Sequence, residues 1–298
     1  MERVSIEAFR YARSVWKSGS FSAAARSQNV SQPGLSNGIA KLEERLGDRL
    51  FERSTRGVQP TVFGLEILPL IDRALVAVDA VGSEARRLTA TGDEFVRVGV
   101  SPLIDPSLVA AIYEAVHRQT ALGGPRQLVM REANMAELRD ALLANQLDLV
   151  LMPSVGFLQG YEHRIVASEP LVVVGGHEGD DVPLSLNDLQ GAELILMPDT
   201  CGLTAFTRDL VQAHKLRWKP YAGEAASYRV LEEWANLGLG SAIVPLSKLT
   251  SPETPHRSLR ADGEDVEIFY QAVWDPGSPL ADDLHRLADL LSATTQPH

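Results

Sequence analysis

Apolar residues in the first sixty positions recur at helical spacing, in short runs separated by capping and terminating residues. Ile6, Phe9, Ala12 and Trp16 share one face of a helix expected over residues 5–18, which Gly19 ends. Ser20 caps a second, over 21–28, whose Ala23, Ala24 and Ala25 permit a close helix crossing. Ser31 caps a third, with Pro33 in its first turn and Gly47 as terminator. There Leu35, Ile39, Leu42 and Leu46 fall at i, i+4, i+7 and i+11, one buried stripe. A longer helix, about 61–89, carries Leu68, Ile71, Leu75 and Val78 at the spacing of a helix-pairing seam. Pro69 should kink it or mark its weak point.

From about Glu94 the period changes, and strand-length runs alternate with helical stripes. Strands are expected over 95–100, 127–131 and 147–152, with helices over 106–119 and 135–144. After an extended stretch, 164–174, a second set follows: strands 193–197, 219–223 and 241–244, helices 203–214 and 228–237. A last strand, 266–274, and a helix, 280–291, complete the chain. Two βα sets joined by two extended crossovers make a hinged pair with a cleft between them.

The outer face of the third helix shows Gln32, Pro33, Ser36, Asn37 and Lys41, small or polar groups able to approach base edges and phosphates. Two helices joined by a tight turn, the second with such a face, describe a helix-turn-helix. Leu50 and Phe51 then anchor a hairpin over 52–58, turned at Gly57, from which Arg53 and Arg56 project as a wing.

Charge at first speaks against this. The 298 residues hold 28 Lys+Arg and 39 Asp+Glu, a net −11, whereas phosphate contacts need a basic surface. Residues 1–65, however, carry ten basic and six acidic residues, a net of +4, which leaves −15 for the rest. A 45% hydrophobic composition excludes wholesale disorder, and the length suggests about two domains. The single cysteine, Cys201, excludes an internal disulfide framework and a Cys-rich zinc module. Neither a signal-peptide core nor an apolar run of membrane-spanning length is seen, so a cytoplasmic protein is expected.

The residues Phe9, Gly19-Ser20-Phe21, Ala24-Ala25, Ser31-Gln32-Pro33, Leu35-Ser36, Ile39, Leu42-Glu43, Leu46-Gly47, Leu50-Phe51, Arg53, Arg56 and Thr61 stand in a specific order and spacing. In them the chain resembles the LysR-type transcriptional regulator family. Weaker patches of the same resemblance are 147–150, 169–174 and 238–245. It departs at Gly38, which costs about 1 kcal/mol in mid-helix and removes a base-reading side chain, and at Pro69. The resemblance implies an α+β multidomain protein: a winged helix-turn-helix over 1–60, a dimerising linker helix over 61–92, and an effector-binding domain over 93–298. That last domain would resemble a type 2 periplasmic binding protein, with subdomain I at about 93–166 and 268–298 and subdomain II at about 167–267. Double-stranded promoter DNA, a small-molecule effector and further copies of the chain, as a homodimer or homotetramer, are the implied partners.

The candidate DNA-binding residues are thus Ser31, Gln32, Pro33, Ser36, Asn37, Lys41, Arg53 and Arg56. Gln32, Ser36 and Asn37 would hydrogen-bond bases, Pro33 would touch a thymine methyl, and Lys41, Arg53 and Arg56 would hold phosphates. The competing reading is an ordinary solvated helix face. Ligands in hinged α/β pairs collect at strand C-termini and helix N-termini. That rule selects Ser101, Pro102, Leu103 and Asn134, and across the cleft Thr200, Cys201, Gly202, Thr204 and Ser227, as effector-binding candidates. Their hydroxyls also suit plain helix caps. Cys201 fits pocket lining better than redox sensing, because no second cysteine could resolve an oxidised thiol.

Nothing points to an enzyme. Gly238-Leu239-Gly240 follows a helix and precedes a strand, the reverse of a dinucleotide loop. The seven His (His117, His163, His177, His214, His256, His285 and His298) lack metal-ligand spacing, and no cofactor or metal is expected. The expected function is a DNA-binding transcriptional regulator whose promoter binding an effector modulates. Its rivals are a ligand-independent repressor and a cytosolic solute-binding protein.

Overall fold

The computed structural model describes residues 4–54, 57–89, 95–118, 126–176, 182–198 and 202–294. Its two units are Met1–Thr89 and Ala90–His298.

The first unit holds α1 (Ile6–Ser18), α2 (Phe21–Ser27), α3 (Gln32–Leu46), a hairpin of β1 (Phe51–Ser54) and β2 (Gly57–Pro60), and α4 (Val62–Thr89). Ser5, Ser20 and Ser31 each accept a backbone N–H of the helix they cap, at 3.2, 3.3 and 3.2 Å. Gly19 and Gly47 end α1 and α3 in the left-handed region, where a Cβ would be strained. Leu35, Ile39 and Leu42 of α3 bury against Ala12, Val15, Ala24 and Ala25, so the expected stripe is the centre of this core.

One expectation for α4 is corrected. Leu68, Ile71 and Leu75 are buried in the core of their own chain, at 0–3% exposure, and do not form a free pairing seam. Arg10 and Arg13 of α1 lie 3.5 and 3.7 Å from Asp79 and Asp72, reinforcing this packing. The exposed apolar stripe is another one: Leu70, Ala77 and Val81, with half-buried Ala74. The helix continues through Pro69. Its ring and the Leu65 it deprives of a hydrogen bond both lie on the solvent side, where water can serve the carbonyl.

The second unit runs β3 (Phe95–Val100), α5 (Pro106–His117), β4 (Gln127–Glu132), α6 (Met135–Leu143), β5 (Leu149–Pro153), β6 (Glu162–Val174), β7 (Leu184–Ser185), β8 (Glu193–Leu196) and α7 (Gly202–Ala213). It continues through β9 (Lys219–Glu224), α8 (Tyr228–Asn236), β10 (Ala242–Pro245), β11 (Arg257–Ala261), β12 (Glu264–Asp265), β13 (Glu267–Trp274) and α9 (Ala281–Thr294). The large sheet has the order β12-β11-β6-β13-β5-β3-β4, with β10 also on β6 and β7 on β11; β8 and β9 form a parallel pair.

The antiparallel strands β6 and β13 are the two expected crossovers, paired from Glu162–Trp274 to Pro170–Glu267. Their register slips at Tyr270/Gln271, a bulge that bends the ribbon. β3, β4, β5, α5, α6 and α9 gather at one end of this ribbon, and β8, β9, β10, α7 and α8 at the other. Strand β11 was not expected. Its only large apolar residue is Leu259, and it exists by pairing with β6 and β7.

Candidate functional site

The first site is the outer face of α3. Ser31, Gln32, Pro33, Asn37 and Lys41 are exposed and Ser36 is half-buried. Ser31 Oγ accepts the Gly34 N–H as a cap, which leaves its O–H free to donate. The Gln32 Oε1 accepts from the Ser22 hydroxyl at 3.2 Å, which orients the amide and leaves its two N–H donors available. Gly38 does not belong to this face. A Cβ there would meet the Tyr11 ring at 2.9 Å, so glycine lets α3 lie close on α1.

The wing is tied to this reading head at three places. Glu43 Oε1 accepts the Leu50 and Phe51 N–H groups at 2.8 and 3.2 Å. The Val58 N–H donates to the Gly19 carbonyl at 3.1 Å. The Thr61 hydroxyl donates to Arg49 O at 2.5 Å and accepts from Gly64 N at 2.9 Å, capping α4. Arg53 stands opposite Val58 in the hairpin, and Arg56 lies outside the described residues. A recess of about 430 Å³ beside α1 is lined by Arg10, Arg13 and Lys17, but Asp79 and Asp72 pair with the two arginines.

The second site is in the C-terminal unit. Most of the effector candidates satisfy their own backbone. Ser101 Oγ accepts Leu103 N at 3.3 Å, and Asn134 Oδ1 accepts Glu137 N at 3.0 Å. The buried Thr204 hydroxyl donates to Met197 O at 2.9 Å and accepts Met197 N at 3.2 Å, and Ser227 caps α8. Leu103 is buried and Pro102 exposed; Thr200 and Cys201 lie outside the described residues.

A cavity of about 360 Å³ does open nearby, of which Gly202 is a lining residue. It lies between α6 and the end of β5 on one side and the first turn of α7 on the other, and the loop over 155–158 borders it. The first turn of α7 is held close: a Cβ on Gly202 would meet Pro153 Cγ at 2.3 Å. Among the described residues no cluster of His, Cys, Asp or Glu could hold a metal. No described helix is long and apolar enough to cross a membrane.

Two family models match this chain. The bacterial regulatory helix-turn-helix model of the lysR family covers residues 6–65, and the LysR substrate binding domain covers 93–296. The chain belongs to the LysR family. A LysR protein of this build is a DNA-binding transcriptional regulator with a C-terminal effector-binding domain. The transcriptional regulator IlvR of Caulobacter vibrioides is 30% identical over 249 residues, 81% of this chain and 82% of that one. OxyR of Escherichia coli K12, a dual regulator, is 28% identical over 291 residues, 93% of this chain and 92% of that one. Among solved structures, a Corynebacterium glutamicum OxyR mutant gives a TM-score of 0.58 at 23% identity, covering 98% of this chain and 92% of that one. Full-length CbnR bound to its target DNA gives 0.51 at 20%, covering 98% and 100%. At these identities the structural likeness concerns the fold.

In this LysR protein the sequence reading missed the side chains that line the cavity and those that brace the hinge. Arg139, Phe157 and His163 line the cavity yet carry no motif. At the crossovers, the buried Glu169 carboxylate accepts the Ser247 N–H at 2.9 Å, the Ser247 hydroxyl at 3.0 Å and the Tyr270 hydroxyl. Burial first, then the Glu169 charge, pushes the Tyr270 phenol well above its ordinary range. Lys248 reaches from the loop after β10 to the Ile104 carbonyl after β3, at 2.7 Å, and lies 5.8 Å from the Tyr228 ring centre. Burial lowers its pKa, opposed by Glu169, Asp105 and Glu132. An acid inside the apolar run over 169–174 was the one sequence signal of this brace.

Proposed function

We propose that α3 enters the major groove and reads bases through Gln32, Pro33, Ser36 and Asn37. Ser31, Lys41, Arg53 and Arg56 hold the flanking phosphates. What supports this reading is the one uncovered polar face of α3, ordered by the Ser22–Gln32 bond and framed by the wing. The stripe of exposed Leu70, Ala77 and Val81 with half-buried Ala74 follows coiled-coil spacing and pairs α4 with a second copy, and such dimers associate into tetramers. An effector taken into the C-terminal cavity shifts the population of lobe arrangements across the β6–β13 ribbon, and so alters the spacing of the DNA-reading heads. The chain divides into a reading head over 1–60, a linker over 61–92 and an effector domain over 93–298. The protein acts in the cytoplasm and turns over no substrate.

Footprinting on the DNA upstream of its own gene, with and without metabolites of the neighbouring genes, tests this. A protected interrupted palindrome whose extent changes with a metabolite is expected; absence of any protected site would overturn the reading. Arg53→Ala should weaken binding to all sequences and flatten the salt slope by about one counterion. Ser36→Ala should instead change discrimination among sites more than affinity.

A further inference from the structure

The chemistry of the cavity differs from the hydroxyl cradle expected at the strand ends. Met135, Met152, Val155 and Leu158 give it an apolar body. Two features interrupt that body. Arg139, one turn beyond Met135 on α6, is exposed and has no ion-pair or hydrogen-bond partner among the described residues. Phe157 is 77% exposed, its ring stacked on His163 at 4.4 Å and 19°.

That stack is held rigidly. His163 Nδ1 lies 3.0 Å from Gln271 Oε1, and Nε2 lies 3.1 Å from the Leu158 carbonyl. The Leu158 N–H donates to Nε2 at 3.1 Å. Gln271, 3% exposed at the crossover bulge, donates its amide to Gly156 O at 3.2 Å. The imidazole and the loop carrying Phe157 are thus anchored to the ribbon joining the lobes. A phenyl ring so exposed on a fixed base gains by being covered with apolar surface.

Size narrows the occupant. A volume of about 360 Å³ lies at the lower end of the range of small-molecule sites, about 300–1,000 Å³. A sugar would leave hydroxyls unpaired against methionine and valine. An unpaired guanidinium beside an apolar body suits a carboxylate, which it can bind with two parallel hydrogen bonds.

We propose that this cavity takes a compact apolar monocarboxylic acid, aromatic or branched aliphatic. Arg139 pairs with the carboxylate, and Phe157 covers the apolar body. The inference rests on the reading of the cavity as the effector site and adds the chemical class of the effector.

Calorimetric titration of the full-length protein with benzoate, cyclohexanecarboxylate and 4-methylpentanoate, against neutral benzamide, tests it. At least one acid should bind, and benzamide about tenfold or more weaker than benzoate. Arg139→Gln should weaken the acids about tenfold or more and leave benzamide unchanged, which separates lost charge recognition from lost fold. Phe157→Ala should weaken acid and amide together. Failure of all three acids to bind at millimolar concentration, equal binding of benzoate and benzamide, or an Arg139→Gln protein with unchanged affinity would overturn the proposal. The operator footprint separates the two levels. An acid that binds through Arg139 without altering the footprint upholds the ligand class and refutes the effector role. A polar metabolite that alters the footprint while no acid binds refutes the class and leaves the effector role standing.

Discussion

Gly64→Ala probes how the reading head is assembled. Gly64 is buried at the start of α4, and a Cβ there would stand 2.1 Å from the Leu50 carbonyl oxygen, 3.0 Å from its carbon and 3.3 Å from its Cα. Ordinary C–H···O contacts lie at about 3.3–3.6 Å, so helix and β1 must part by about an ångström. The obstacle is backbone and cannot rotate away. Its oxygen also accepts the Thr61 N–H at 3.0 Å. Overpacking of this kind costs about 1–3 kcal/mol and the strained hydrogen bond about 1, while alanine returns about 1 in helix propensity. The net is about 1–3 kcal/mol of destabilisation. Hydrogen exchange followed by mass spectrometry should show amides of the wing and the first turn of α4 exchanging about five- to 150-fold faster, at tenfold per 1.4 kcal/mol. Operator affinity should fall with it. Unchanged or slower exchange in those amides would refute the reasoning, because alanine would then act only as a better helix former.

Other outcomes follow from the same geometry. Glu232 is buried, which raises its pKa, but the Thr250 side chain and N–H and the Thr254 hydroxyl outweigh this, so the net shift is downward from 4.5. Its stabilising effect is therefore complete above the unfolded value of 4.5 and lost as pH falls through the folded one. Glu232→Gln should lower stability at neutral pH by about 1–3 kcal/mol and flatten the fall of stability with acid, read by urea unfolding between pH 3 and 7 at about half-unit steps. Ser22→Ala frees the Gln32 carboxamide and should cost about 0.5–1.5 kcal/mol in discrimination between operator variants, with total affinity little changed in competition gel shifts. Leu70→Asp together with Val81→Asp, both at exposed positions, should dissociate dimers in sedimentation velocity without loss of helical circular dichroism.

The reading head was largely legible along the chain because local signals agree there. The serine caps at 5, 20 and 31, the glycines at 19 and 47 and the Leu35–Ile39–Leu42 stripe each act within a few residues. The α4 seam misled for a reason the sequence shares with any helix having two apolar stripes. Spacing shows that Leu68, Ile71 and Leu75 lie together, but not that α1 claims them first and leaves Leu70 and Val81 outside. Gly38 likewise reads as a defect until Tyr11 is found 2.9 Å from where its Cβ would be.

In the C-terminal unit, most strands and helices followed from period, since burial on a sheet or a helix face imprints a repeat of 2 or 3.6, whereas β11 exists by pairing. The cavity left no such imprint. Arg139, Phe157, His163 and Gln271 come from α6, a loop, β6 and β13, up to 132 positions apart, and none of them is unusual for its element. The strand-end rule led instead to Ser101, Asn134, Thr204 and Ser227, whose polar atoms turn back onto their own backbone. By itself the sequence determined the family, the order of elements and the basic head on an acidic body, because these depend on residue identity and near neighbours. Which stripe of α4 stays free, where the cavity lies and what braces the lobes were decided only when distant segments met. Packing assigns each face and each donor to one partner, and no local pattern carries that choice.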